Sequence, residues 1–336
     1  MGDTTYVVLF IVFAAPFAFY VLAALFIALW PKKKLHGSYE GKHVLVTGGS
    51  QGLGRAIAFQ LVAAGANVTI LSRSAEKLKI VVDEAQKSAT PGRGQIAYQA
   101  VDTRDFGAMQ YAVAAAESMF GPIDILFPVV GKARTAKLEQ LSIEDHKQAM
   151  EINYFGTLNT VYAVLPTMRE RKQGSIVFIT SGAAMTSYIG YAAYSPSKYA
   201  VRGLADCLRN ELEYSGVTVH IAYPGQMDTP GFAEEQLTKP AECKAIEADD
   251  TMHQPEAVAK VILRDLQNGK YNMYCGDLGI SILGVLGAGM SPRTNWALDI
   301  LLFPIGILAG WIVRSTWSSK VRQGTSEPDM TAYQQV

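Results

Sequence analysis

An α/β fold, a doubly wound parallel sheet covered by helices on both faces, is what this sequence predicts. Three observations carry the prediction. Strand-length apolar runs alternate with helix-length amphipathic segments from His43 to Cys275, and such alternation builds right-handed crossovers and a single parallel sheet. The first run, His43–Thr47, leads through Gly48-Gly49-Ser50-Gln51-Gly52-Leu53-Gly54 into a helical pattern that lasts to Gly65. A strand, a glycine-rich turn and a helix start in that order form the phosphate cradle of a Rossmann-type dinucleotide fold. Finally, the apolar excess sits at the two ends, outside the alternating middle.

Composition narrows the function classes. The 336 residues include 30 basic and 30 acidic side chains, a formal net charge of zero, which gives no basic surface for nucleic acid. With 49% hydrophobic and only 18% charged residues the chain is apolar for an enzyme without a membrane. Cys207, Cys243 and Cys275 lie far apart, so neither a disulfide framework nor a metal site is expected and a reducing compartment fits.

Tyr6–Trp30 is a run of 25 residues without a charge, longer than the roughly 30 Å hydrocarbon core needs at about 1.5 Å per residue. Pro31-Lys32-Lys33-Lys34 follows at once, so residues 1–31 are expected to be a transmembrane anchor with the rest of the chain in the cytosol. A cleaved signal peptide is the competing reading, weakened by the absent basic start and the missing small-residue cleavage site.

The catalytic domain is expected over 40–276. Its glycine turn places Gly48, Ser50, Gln51, Gly52, Leu53 and Gly54 around a pyrophosphate. The second strand, Asn67–Ser72, ends without the acidic residue that would bond an unphosphorylated ribose. Arg73 follows and Lys77 stands one helical turn on, which favours NADPH/NADP+ over the solvated helix start these cations would otherwise make. A third strand, Ile96–Val101, brings Asp102 to the adenine edge, and a fourth covers Ile123–Val130. The long helical stretch from Ser142 to Arg171 holds Asn153, whose buried amide needs partners and can anchor a water or a kink near Lys198. A sixth strand, Val217–Tyr223, delivers Pro224, Gly225 and Thr229 to the sheet's carboxyl edge, Thr229 within reach of a nicotinamide carboxamide. Residues 225–253 read as a polar, loop-like substrate lid.

The reactive groups are expected in Ser181–Lys198. Tyr194 and Lys198 stand four apart and share a helix face. A lysine ammonium beside a phenol favours the phenolate and lowers its pKa, making Tyr194 an acid or base suited to carbonyl and alcohol interconversion. Ser181, closing the fifth strand Ser175–Thr180, offers a hydroxyl to the same oxygen. By spacing alone an ordinary helix surface pair is the better reading, and it gives way only to the glycine turn and strands upstream.

Beyond the catalytic domain, 277–314 is apolar and membrane-associated, as a re-entrant hairpin, an interfacial pair or a dimerisation pair. The polar tail at 315–336 is expected to be disordered.

Gly48-x-x-x-Gly52-x-Gly54, Asn153, Ser181, Tyr194 and Lys198 together resemble the short-chain dehydrogenase/reductase family over about residues 40–275. The resemblance implies that Tyr194 is the proton donor and that Ser181 polarises a carbonyl. It also implies that Lys198 lowers the tyrosine pKa and holds the ribose, and that Asn153 supports a relay water. It suggests a homodimer through long helices at 142–171 and 191–214. One departure is Pro128-Val129-Val130-Gly131, where the family usually has Asn-Asn-Ala-Gly; side-chain bonds bracing the central strands are expected to be replaced by packing. Ala222-Tyr223-Pro224, the stretch from Asp228 to Glu235, and Thr238-Lys239-Pro240 resemble the branch of that family acting on long-chain sphingoid ketones. That resemblance implies a membrane-lipid setting at the endoplasmic reticulum with the catalytic domain facing the cytosol. Membrane-anchored hydroxysteroid or retinoid dehydrogenases, and a non-catalytic NADP(H)-sensing scaffold, are the alternatives.

Overall fold

The structure is a computed structural model that describes residues 17–22, 26, 37–88, 94–287 and 296–324. Seven parallel strands form one sheet in the order β3-β2-β1-β4-β5-β6-β7. They are β1 (His43–Thr47), β2 (Asn67–Ser72), β3 (Ile96–Ala100), β4 (Ile125–Pro128), β5 (Gly174–Ile179), β6 (Val217–Ala222) and β7 (Asn272–Met273). The central strands β1, β4 and β5 are buried at every position, as expected of strands covered on both faces. The chain winds outward from β1 in one direction and from β4 in the other. The two strands meet with Thr47 opposite Pro128. That switch in winding opens a crevice at the strands' carboxyl ends, where ligands of such sheets bind.

Helices cover both faces. On one, α1 (Gly52–Ala63), α2 (Ala75–Ser88) and, later in the chain, the helix over Pro255–Gln267 bury Ile57, Leu61, Leu78, Ile262 and Leu266 against Val46, Ile70 and Phe127. On the other, α3 (Phe106–Phe120) and two further helices bury Met109, Val164 and Leu208 against Leu45, Leu126 and Phe178. Burial of this extent supplies most of the folding free energy at roughly 25 cal/mol per Å² of apolar surface.

The stretch expected as one long helix is interrupted. Between α4 (Ile143–Met150) and α5 (Gly156–Glu170) the backbone winds as a π turn over Glu151–Phe155. Ser142 caps α4 by accepting the Asp145 N–H at 3.2 Å, while Asp145 accepts the Ser142 N–H at 2.9 Å, a reciprocal cap. Wide turns of this kind re-aim side chains and often mark functional positions; here the re-aimed residue is Asn153.

The lid is helical, not a loop. Thr229 caps α7 (Pro230–Thr238), with Pro230 in the first turn, and Pro240 starts α8 (Ala241–Ile246). Fixed φ at a helix start suits proline, so the prolines that suggested a loop in the sequence begin helices instead.

After α6 (Tyr194–Glu211) and α9 (Pro255–Gln267) come α10 (Leu278–Gly287) and α11 (Trp296–Gly324), which contact each other; α11 also packs against α8. Lys320 on α11 donates to the Ala245 carbonyl at 2.6 Å. Helix α11 runs on to Gly324, past the start of the expected disordered tail; residues 325–336 lie outside the described residues. No helix among the described residues is long and apolar enough to cross a membrane, and most of the expected span over Tyr6–Trp30 lies outside them.

Candidate active site

The glycine turn after β1 is shaped by close backbone approaches. Gly48 has φ +69° and a Cβ there would lie 3.1 Å from the Val130 amide nitrogen; at Gly54 it would lie 2.3 Å from the Gly48 carbonyl oxygen. Only glycine fits, and the turn delivers its amides to the start of α1, where an anion is stabilised. Ser50 and Gln51 are half-buried on this turn, whereas the Leu53 side chain belongs to the core, so only its backbone is available to a ligand. The cradle fits a dinucleotide pyrophosphate.

At the end of β2 the Ser72 hydroxyl is buried and has no hydrogen-bond partner among the described residues. Arg73 and Lys77 beside it are exposed. Asp102 is held by Arg104 at 2.7 Å. That hydrogen-bonded guanidinium and the nearby Arg73 keep its carboxyl below the usual range.

Across the crevice, β4 ends in the unusual Pro128-Val129-Val130-Gly131. Bracing here is not left to packing, as the sequence predicts. The Thr47 hydroxyl accepts the Val129 N–H at 3.1 Å and the Val130 N–H at 3.4 Å. The bond crosses from β1, so β4 needs no polar side chain of its own. A Cβ at Gly131 would sit 3.0 Å from Lys198 Nζ and 3.4 Å from Asn153 Oδ1, which ties this turn to the reactive groups.

Asn153, Ser181, Tyr194 and Lys198 converge at the carboxyl ends of β4 and β5. The Ser181 hydroxyl lies beside the Tyr194 phenol and lowers its pKa, while it accepts the Ala183 N–H at 3.2 Å. Lys198 Nζ lies 5.7 Å from the centre of the Tyr194 ring and donates to the Ile179 carbonyl at 3.3 Å. Asn153 Oδ1 accepts the Lys132 N–H at 2.8 Å. Its Nδ2 donates to the Lys132 carbonyl at 3.0 Å and to Ser197 Oγ at 2.8 Å. The amide is thus committed to protein groups rather than offered to a water.

Electrostatics at Tyr194 run opposite to the sequence expectation. Burial pushes the phenol's pKa above its ordinary value and the Glu235 carboxylate adds to the rise, against the nearby Ser181 hydroxyl, which lowers it. Lys198 does not reverse this; burial pushes its own pKa down to about 8, so it still holds its proton at neutral pH. The phenol therefore holds its proton.

Next to Tyr194 lies a buried polar cluster drawn from the lid. The Tyr191 ring is 5.8 Å from that of Tyr194, and its single hydroxyl proton is shared between Glu235 at 2.6 Å and Glu247 at 2.7 Å. Lys239, its side chain fully buried, bridges Glu235 at 2.7 Å and Glu247 at 2.6 Å. Burial works against its ammonium, yet the two carboxylates outweigh it and raise its pKa. Tyr188 donates to Glu247 at 2.8 Å. Tyr188 and Tyr191 also line a cleft of about 520 Å³ with Lys137, Ser195 and Tyr199.

Pro224 accepts the Gly182 N–H through its carbonyl at 3.0 Å, and Gly225 packs beside Asp277. The Thr229 hydroxyl is taken up in capping α7 through the Phe232 N–H at 3.1 Å, while its methyl lies over Gly52. Sequence reasoning missed Tyr191, Glu235, Lys239 and Glu247. The i,i+4 spacing of Glu235 and Lys239 was a signal, but a lid read as loop gave it no helix to lie on.

A sequence profile of the family described as short chain dehydrogenase matches residues 42–240. The chain is 38% identical over 257 residues to 3-dehydrosphinganine reductase of Danio rerio, covering 76% of this chain and 77% of that protein. It is 33% identical over 317 residues to 3-ketodihydrosphingosine reductase of Dictyostelium discoideum, covering 90% and 95%. Among solved structures, a short chain dehydrogenase/reductase of Burkholderia phymatum in complex with NAD superposes with a TM-score of 0.67 at 18% identity, over 75% of this chain and 94% of that one. A short chain dehydrogenase of Mycobacterium paratuberculosis bound to NAD gives 0.63 at 26% identity, over 70% and 96%.

Proposed function

The chain belongs to the short chain dehydrogenase family, and from that premise we propose that it reduces the ketone of 3-ketosphinganine to sphinganine, using NADPH, in sphingolipid synthesis. The observation that carries the reaction is the meeting of the Ser181 hydroxyl and the Tyr194 phenol at the sheet's carboxyl edge, with Lys198 one helical turn behind and its Nζ 5.7 Å from the ring centre. The substrate follows from the curated relatives, which are named for it.

When bound, the nicotinamide cofactor supplies the hydride. The protein supplies the proton and the geometry. Tyr194, its pKa raised by burial and by Glu235, keeps its proton at neutral pH and gives it to the carbonyl oxygen as that oxygen gains charge. Ser181 donates to the same oxygen and polarises it, a stabilisation aimed at the charge that develops. Lys198 and Gly131 define the floor beneath the phenol, and Asn153 holds the turn carrying Lys132.

NADPH over NADH is favoured by what stands at the end of β2. A serine hydroxyl without a partner and two exposed cations, Arg73 and Lys77, suit a 2′-phosphate. A carboxylate would suit the free 2′-hydroxyl instead.

The enzyme works, on this reading, at the cytosolic face of the endoplasmic reticulum. The uncharged Tyr6–Trp30 run followed by Lys32, Lys33 and Lys34 supports an anchor. Phe303, Ile305, Leu308 and Trp311 are exposed on α11. Ile280 of α10 reaches to Gly182, beside Ser181, so the apolar carboxyl-terminal region leads from such a surface to the reaction site. A long-chain ketone partitions into a bilayer and would meet the enzyme there.

The test is turnover by the full chain in detergent or vesicles. It should oxidise NADPH with 3-ketosphinganine far faster than with steroid ketones or retinal, and faster than NADH. Preference for a steroid or retinal contradicts the substrate; preference for NADH contradicts the cofactor.

A further inference from the structure

We infer that Glu235 is the counter-ion that recognises the substrate's ammonium group. This rests on the reading of the substrate as a sphingoid ketone and deepens it by naming the residue that selects an amino ketone over other long-chain ketones.

The chemistry of the substrate sets the requirement. A sphingoid ketone carries a primary amine on the carbon next to the carbonyl. When the ketone oxygen lies against the Tyr194 hydroxyl, the ammonium must lie within the same small volume. A cation there needs a carboxylate with an oxygen to spare, since an unpaired buried charge is costly.

Glu235 meets that requirement. Its side chain is 13% exposed. Its two contacts within the cluster, from the Tyr191 hydroxyl and the Lys239 ammonium, both fall on Oε1. No hydrogen bond among the described residues falls on its Oε2. Its charge is felt at the Tyr194 phenol, and the Tyr191 ring, whose hydroxyl bonds it, lies tilted beside the Tyr194 ring with centroids 5.8 Å apart. Glu247, by contrast, is fully engaged: Tyr188, Tyr191 and Cys243 donate to Oε1, and Lys239 takes Oε2. Glu234 is excluded by position, being 63% exposed in a loose 3.5 Å pair with Lys132, where solvent screens it.

Charge balance points the same way. Two buried carboxylates share a single lysine, which leaves one negative charge uncompensated inside the cluster. A substrate ammonium on Oε2 completes the balance, and a neutral steroid or retinoid ketone does not. Glu235 therefore adds a selection that a purely apolar chain channel cannot make.

Glu235→Gln keeps the shape of the side chain and its acceptor for Tyr191 but removes the charge. In the full-length enzyme with NADPH, KM for 3-ketosphinganine should rise about 10- to 100-fold, as loss of a charged hydrogen bond implies, with kcat changed far less. On a 1-hydroxy-3-ketone of equal chain length lacking the amine, the KM values of wild type and variant should agree within about twofold, any change in kcat through Tyr194 being common to both ketones. Glu235→Asp, which keeps the charge, should recover part of the loss and shows that the effect is not one of folding. Equal losses on both ketones, or an unchanged KM for the amino ketone, overturn the assignment and leave the reductase reading standing. A wild-type enzyme that turns over the amine-free ketone but not 3-ketosphinganine overturns the substrate reading, and the assignment with it.

Discussion

Asn153 grips Lys132 by both of that residue's backbone groups, accepting its N–H at 2.8 Å and donating to its carbonyl at 3.0 Å. The π turn at Glu151–Phe155 is what aims the amide at the segment after β4. A third bond, to Ser197 at 2.8 Å, joins this segment to the helix of Tyr194 and Lys198.

Asn153→Leu, of similar size, therefore deprives both Lys132 backbone groups of their partner and Ser197 of one of its two bonds. The expected loss is at least about 2 kcal/mol of stability, read as a lower urea midpoint, together with lower turnover. An unchanged midpoint would show that the turn is held by something else.

Thr47 spans the gap left by Pro128-Val129-Val130. Thr47→Val keeps the shape and deletes the acceptor of the Val129 and Val130 amides. We expect about 1–3 kcal/mol of destabilisation, with Thr47→Ser close to wild type in thermal melting. If the valine and serine variants melt alike, packing alone holds β4 to β1.

Lys198 gives the fold a pH signature. Burial lowers its pKa to about 8 in the folded chain, from an ordinary 10.5. Below about pH 8 both folded and unfolded chains carry the proton, and the penalty for burying the charge is fully present. Between about 8 and 10.5 the unfolded chain binds more protons than the folded one, so this group's contribution to stability rises with pH. Urea unfolding of cofactor-free wild type and Lys198→Met across that range should show wild type gaining on the variant as pH rises. Curves that stay parallel would contradict the buried ammonium.

Much of this was legible in the sequence because it depends on local pattern. The strand-turn-helix of Thr47–Gly54 follows from glycines that no other residue could replace, and the four-residue step from Tyr194 to Lys198 follows from helix periodicity. The lid was not legible: Pro230 and Pro240 punctuate helices there, and the polar composition that suggested a loop belongs to a buried ion-pair cluster. Nor was the sign of the Tyr194 shift. A sequence shows Lys198 four residues away, but not the burial of the phenol or the Glu235 carboxylate folded back from the lid. The Thr47 brace escaped for the same reason, since it joins residues 82 apart.

The proton on Tyr194 carries the account. Tyr194→Phe, assayed with NADPH and 3-ketosphinganine alongside cofactor binding by fluorescence, should lose about 10²- to 10⁴-fold in kcat while binding NADPH as wild type does. A phenylalanine variant that turns over the ketone at the wild-type rate would contradict it.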